Sequence, residues 1–208
     1  NYSADFGAVF RSSAIFFLPK NVKTTITILN YWDLKNGMEV GLLFSIRGMD
    51  GKLIERRERY FDDGLVINES DWPIDDGSVE IEVFGNKNLR IPYAAVMGVY
   101  ETKNSISMVH SYGRNHNLIE IEDGESLTSG RESCWTLRCQ KNVSNEAVFH
   151  NGHLAVDEQE AVFTITNIQG YETTVKFLMP RLKSYETYVF NVSNILPQYK
   201  EFLNGSNG

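Results

Sequence analysis

The sequence predicts an all-β protein, specifically an antiparallel β-sandwich built as two tandem units with the second smaller. Three observations lead there. Apolar and polar residues alternate with a period of two in a series of short runs, the pattern of strands half-buried on a sheet. Turn chemistry separates those runs, above all Asp50-Gly51, Asp63-Gly64 and Asp76-Gly77. No stretch of about 12 residues or more keeps a helical period.

Asn1 to Arg11 reads as a lead-in, and Ser12 to Pro19 as a first strand stopped by a proline that lacks the ladder donor. Thr24 to Asn30 puts Ile26 and Ile28 on one face and threonines on the other. Glu39 to Arg47 holds Val40, Leu42, Phe44 and Ile46 in phase, and Met49-Asp50-Gly51-Lys52 reads as a two-residue hairpin turn into Lys52 to Phe61. The mixed charges Glu55-Arg56-Arg57-Glu58-Arg59 mark that partner as a solvated or edge strand, since charge resists edge-to-edge pairing. Leu65 to Ile67 is a short strand. In Ser78 to Phe84, Val79, Ile81 and Val83 face in while Glu80 and Glu82 face out. The acidic turns are explained by turn chemistry, because their spacing is not that of a calcium loop.

Pro92 to Tyr100 is apolar and small, as expected of a strand buried on both faces, and Thr102-Lys103-Asn104 turns it back into Ile106 to His116 to make a central hairpin. Asn117 to Glu122 is a further short strand. Asp123 to Arg131, with two glycines and two serines, is the expected boundary, giving units at 1–128 and 129–208. Beyond it, Cys134 to Cys139, Ala147 to His150, Glu160 to Thr166, Thr173 to Leu178 and Tyr185 to Val192 read as strands, and Leu196 to Leu203 as at most a turn of helix. Asn204 to Gly208 has the composition of a turn that leads into another strand. An internal repeat supports two similar units: Thr27 to Asn30 resembles Thr164 to Asn167, Gly37 to Phe44 matches Gly170 to Phe177, and Tyr60-Phe61 lines up with Val189-Phe190.

The 208 residues carry a formal net charge of −7, which argues against the basic surface that nucleic acid requires. No apolar run is long enough to span a membrane as a helix. Cys134 and Cys139, about 16 Å apart on an extended strand, are expected to be thiols. Five Asn-x-Ser sequons, at Asn1, Asn68, Asn142, Asn191 and Asn204, tip the expected compartment slightly toward the cell surface or exterior, although a chain rich in Asn and Ser produces such triplets by chance.

The chemistry concentrates in Ile106 to His116. With strand alternation, Ile106 and Met108 share a face with His110, Tyr112, Arg114 and His116, so an apolar start leads into a cationic and aromatic row. Arg offers a planar fork for carboxylate or phosphate, Tyr an apolar ring with a hydroxyl, and His a group that titrates near neutrality. His150 and His153 follow within about 40 positions and complete the candidate ligand-binding set. A zinc site built on His150 and His153 would need the Asn151-Gly152 turn to make them converge, and no companion metal motif is present, so no metal and no cofactor is expected.

These residues point first to a non-catalytic module that recognises a glycan or a protein surface through an anionic ligand, with oligomerisation open. One alternative is a lyase-like enzyme acting on an acidic polysaccharide, with Tyr112 or a histidine as base and Arg114 neutralising a carboxylate. A second is a purely structural or assembly protein, in which the row is sealed and fully hydrogen-bonded.

Overall fold

The computed structural model describes residues 10–30, 33, 34, 37, 39–60, 65–67, 73–85, 96–110 and 135–208. Within them the chain is mostly antiparallel sheet without a closed barrel, so the all-β class holds. The strands are β1 (Phe10–Leu18), β2 (Lys23–Ile28), β3 (Gly41–Gly48), β4 (Leu53–Tyr60), β5 (Leu65–Ile67), β6 (Gly77–Gly85), β7 (Val96–Glu101), β8 (Ile106–His110), β9 (Glu146–His150), β10 (Gln159–Thr166), β11 (Glu172–Met179) and β12 (Thr187–Asn191). Two short helices follow, α1 (Val192–Ile195) and α2 (Tyr199–Leu203). The chain divides into two compact units, Asn1–His116 with Tyr185–Thr187, and Asn117–Ser184 with Tyr188–Gly208. The boundary read from the sequence, between 128 and 129, lies outside the described residues.

The first unit holds two four-stranded sheets, in the orders β1-β6-β3-β4 and β5-β2-β7-β8. Alternation explains their shared core. Ala14, Phe16 and Leu18 from β1, Leu42, Phe44 and Ile46 from β3, and Val79, Ile81 and Val83 from β6 are buried in one cluster with Ile26, Ile28 and Val96 from the other sheet. Each of the larger side chains, Ala14 excepted, contributes roughly 1.5–3 kcal/mol through removal from water. Two contacts tie β7 to β1. Tyr100 donates its hydroxyl hydrogen to the Phe17 carbonyl at 2.8 Å, and Gly98 lies so close to Phe16 that an added Cβ would sit 2.8 Å from Cδ1.

The β3–β4 connection differs in detail from the expected two-residue turn. Gly51 N–H donates to the Gly48 carbonyl and Gly48 N–H to the Lys52 carbonyl, both at 3.0 Å, so Met49 and Asp50 are the central residues. Gly51 follows at φ 80°, the left-handed position that closes a three-residue loop with a bulge. β4 is the end strand of its sheet among the described residues, as its charge predicts. Arg57 and Glu55 form an ion pair on the face shared with Phe44 and Ile46, a charge placed inward at an edge.

The second face of β6 departs from the expected outward, solvated row. Glu80 and Glu82 are 4% and 6% exposed, and Ser45, Ser78 and Arg47 beside them are buried too. Register supplies the reason. Glu80 lies across from Ile15 on β1 and Ser45 on β3, and Glu82 across from Leu43 on β3, so each carboxylate of this central strand has an apolar ladder neighbour on one side.

In the second unit β10 pairs with β11, and β12 with β9. Phe163, Ile165, Leu137, Val192, Leu196, Tyr199 and Leu203 form its core. Phe190 lies at the centre of an aromatic group, with ring centroids 5.3 Å from Phe177, 6.0 Å from Tyr188, 6.3 Å from Phe149 and 6.4 Å from Phe163. Residues 135–140 are not a strand, contrary to the expectation for Cys134 to Cys139; Cys134 itself lies outside the described residues, and Cys139 is a free thiol. Side-chain and tail contacts replace a ladder there. The Asn145 side chain accepts from Arg138 N–H and donates to the Arg138 carbonyl, both at 2.8 Å, and Leu137 exchanges hydrogen bonds with Gly208.

The internal repeat does not extend to strand pairing. It sets β2 against β10 and β3 against β11, yet β2 and β3 lie in different sheets while β10 and β11 are partners in one hairpin. Period-two alternation matches any two strands, whatever their neighbours.

Candidate functional site

The candidate row begins on β8, the end strand of its sheet among the described residues. The hairpin that delivers it is closed as the sequence suggests. Thr102 N–H donates to the Ser105 carbonyl at 2.8 Å, and the Thr102 hydroxyl accepts from Ser105 N–H at 3.1 Å. The β7–β8 register then runs without a shift from Glu101 opposite Ile106 to Met97 opposite His110.

That register fixes the faces. Val109 and Ser107 lie beside Gly98 and Tyr100 on the core side, whereas Ile106, Met108 and His110 lie beside Glu101, Val99 and Met97 on the outward side. Because β2 pairs with β7, three cross-strand rows cover that face: Lys23, Glu101, Ile106; Thr25, Val99, Met108; and Thr27, Met97, His110. Lys23 and Glu101 form an ion pair at 2.7 Å. On β7 Val96 and Gly98 are buried and the outward Met97, Val99 and Glu101 half-buried, so the described part of Pro92 to Tyr100 is not the doubly buried strand expected; residues 92–95 lie outside the described residues.

All five residues of β8 are exposed, including Ile106 at 70%, Met108 at 62% and Val109 at 43%. Sequence reading treated Ile106 and Met108 as the apolar start of the strand, leading into its functional end. The structure makes them the largest exposed apolar side chains on the strand, outward and in phase with His110. Tyr112, Arg114 and His116 lie outside the described residues.

The other two histidines belong to the second unit. His150 ends β9 and is half-buried, and burial lowers its pKa to about 4, so the ring is neutral at physiological pH. His153 follows the Asn151-Gly152 turn, with a buried Nε2 that has no hydrogen-bond partner among the described residues. Asn151 holds that turn, donating to the carbonyls of Leu154 at 2.8 Å and Lys183 at 2.7 Å. Among the described residues no group of three or more His, Cys, Asp or Glu side chains is placed to hold a metal ion, and no helix is long and apolar enough to cross a membrane.

In comparisons with known proteins, no family model, no curated sequence and no solved structure matches this chain.

Proposed function

We propose that this chain is a non-catalytic recognition module that docks a protein surface on the outward side of β7–β8. The apolar half of that surface rests on Ile106 and Met108, and its anionic half is met by His110 and the Tyr112, Arg114 and His116 that follow in sequence. The observation that carries this reading is the outward, exposed placement of Ile106 and Met108 in register with His110. Exposed apolar side chains next to a cationic row suit a protein segment of mixed apolar and acidic character better than they suit a sugar. The first unit is read as a β-sandwich, because side chains from both of its sheets enter one core cluster. The second, with its two two-stranded sheets, is read as a smaller unit of the same class.

An array carrying both acidic peptides with alternating apolar residues and uronate-containing glycans tests this reading. The parent is expected to bind peptides, and Met108→Ser and Arg114→Ala are each expected to weaken that binding. Glycan binding without peptide binding would replace the protein ligand by a carbohydrate one. Binding unchanged in both variants would remove β8 from the account.

A further inference from the structure

The chain itself carries a segment of the kind that the β7–β8 face is proposed to dock. β10 and β11 are joined by Asn167-Ile168-Gln169-Gly170-Tyr171, a loop held by its own hydrogen bonds. Gly170 N–H donates to the Asn167 carbonyl and Asn167 N–H to the Tyr171 carbonyl, both at 2.9 Å, with Gly170 at φ 84°. The Asn167 side-chain oxygen accepts from Gln169 N–H at 3.1 Å and from Tyr171 N–H at 3.0 Å. The β3–β4 loop is closed by the same two backbone bonds, and it half-buries Met49 at the position that Ile168 takes here. In the β10–β11 loop Ile168 is 71% exposed and Tyr171 69%, so exposed apolar side chains are a property of this tip and not of the turn class. Glu172 follows directly and is exposed.

We infer that the outward β7–β8 face of one copy of this chain docks the β10–β11 tip of a second copy. The inference rests on the docking surface proposed above and names its occupant. The two sides are complementary. The tip offers an aliphatic and an aromatic side chain with a carboxylate beside them, and tyrosine is among the residues that most often anchor an interface. The face offers Ile106 and Met108 with Val99 and Met97 next to them, and methionine adapts its shape to what it packs against. Glu172 supplies the anionic group that the His110 end of the face is proposed to meet. Because Asn167 already fixes the loop, little conformational freedom is lost on docking. The contact is heterologous: a face meets a tip, so each docked pair still presents one face and one tip. Copies therefore add head to tail, closing into a ring or extending as a chain.

Sedimentation velocity of the full chain at concentrations up to about 1 mM, with Met108→Ser disabling the face and Tyr171→Ser the tip, tests the inference. The parent is expected to associate beyond two copies as concentration rises, and each variant alone to associate at least about tenfold more weakly. An equimolar mixture of the two variants restores one intact contact, between the face of the Tyr171→Ser chain and the tip of the Met108→Ser chain, and is expected to stop at two copies. Far-ultraviolet circular dichroism confirms that each variant is folded. A parent that stays monomeric throughout, a Tyr171→Ser chain that associates like the parent, or a mixture no larger than its components would overturn the inference. A monomeric parent that still binds the acidic peptides of the array overturns it while leaving the docking face in place; failure of those peptides as well removes the face too.

Discussion

The guanidinium of Arg47 lies 3.8 Å above the ring of Tyr185, a residue held at φ 60° in the left-handed region. Both belong to the first unit, and the Thr187 N–H donates to the Met49 carbonyl at 2.9 Å two residues further on. Arg47 is buried, with Nη1 donating to the Gly51 carbonyl at 3.4 Å, Nη2 3.9 Å from Glu80, and Nε without a hydrogen-bond partner among the described residues. The ring therefore provides an aromatic face for a charge removed from water. Arg47→Ala is expected to cost about 3 kcal/mol in chemical denaturation, because Glu80 keeps its burial and loses a cation. A double-mutant cycle with Tyr185→Ala should return a coupling of about 0.5–2 kcal/mol.

Tyr185 also makes a backbone prediction. In regular structure glycine is less stable than alanine, but at a left-handed φ the Cβ is the liability. Tyr185→Gly is expected to be more stable than Tyr185→Ala by about 1 kcal/mol, measured as the shift in denaturation midpoint at constant slope. The reverse order would mean that the left-handed conformation is not held in solution.

In the second unit, Asn145 is the residue whose loss should be felt most among its polar groups. It is 7% exposed, bonds to both backbone groups of Arg138, and donates to the Tyr199 hydroxyl at 2.8 Å. Asn145→Ala strands several buried partners and is expected to destabilise by about 3 kcal/mol or more, whereas Tyr199→Phe removes one hydrogen bond for about 1 kcal/mol. Equal losses would show that the network is not what holds residues 137–139.

Where β7 crosses β1, room for even one methyl is lacking. Gly98→Ala brings a Cβ to 2.8 Å from Phe16 Cδ1, and overpacking of this kind is expected to cost about 1–3 kcal/mol. Phe16→Leu on the same background should recover part of that loss. Additive losses would place the clash elsewhere.

His150 gives the protein a pH dependence with a definite sign. Its folded pKa is about 4 against 6.5 for the free side chain, because burial disfavours the imidazolium. Between those values the unfolded chain binds more protons than the folded one, so stability rises with pH across the window. The stability that rests on a neutral His150 is complete above about pH 6.5 and declines as pH falls toward 4. His150→Gln is expected to flatten the thermal-denaturation profile over that interval; an unchanged slope would assign the dependence to other groups.

The strand positions were legible in the sequence because alternation is a local property. Val79, Ile81 and Val83 face a core simply through being two apart, and β8 follows β7 because Thr102 to Ser105 closes a turn. What alternation lacks is the identity of the neighbour. Glu80 and Glu82 read as solvated, yet Ile15 and Leu43 across the ladder shade them. The strand expected at Cys134 to Cys139 failed for a related reason, since residues 137 and 138 take their partners from Gly208 and the Asn145 side chain. At the site, His110 stood out through its chemistry, while the exposure of Ile106 and Met108 goes with β8 being the end strand of its sheet among the described residues. No single strand's sequence encodes that.

The central claim is that the outward face of β7–β8 is a docking surface. Methyl-selective NMR of Ile106 and Met108, with the His110 ring protons, during titration with a short alternating Val-Glu peptide tests it most directly. The account predicts saturable shifts at these three residues, lost in Arg114→Ala. Shifts confined to residues remote from β7 and β8, or none from this peptide at saturating concentration, would contradict it.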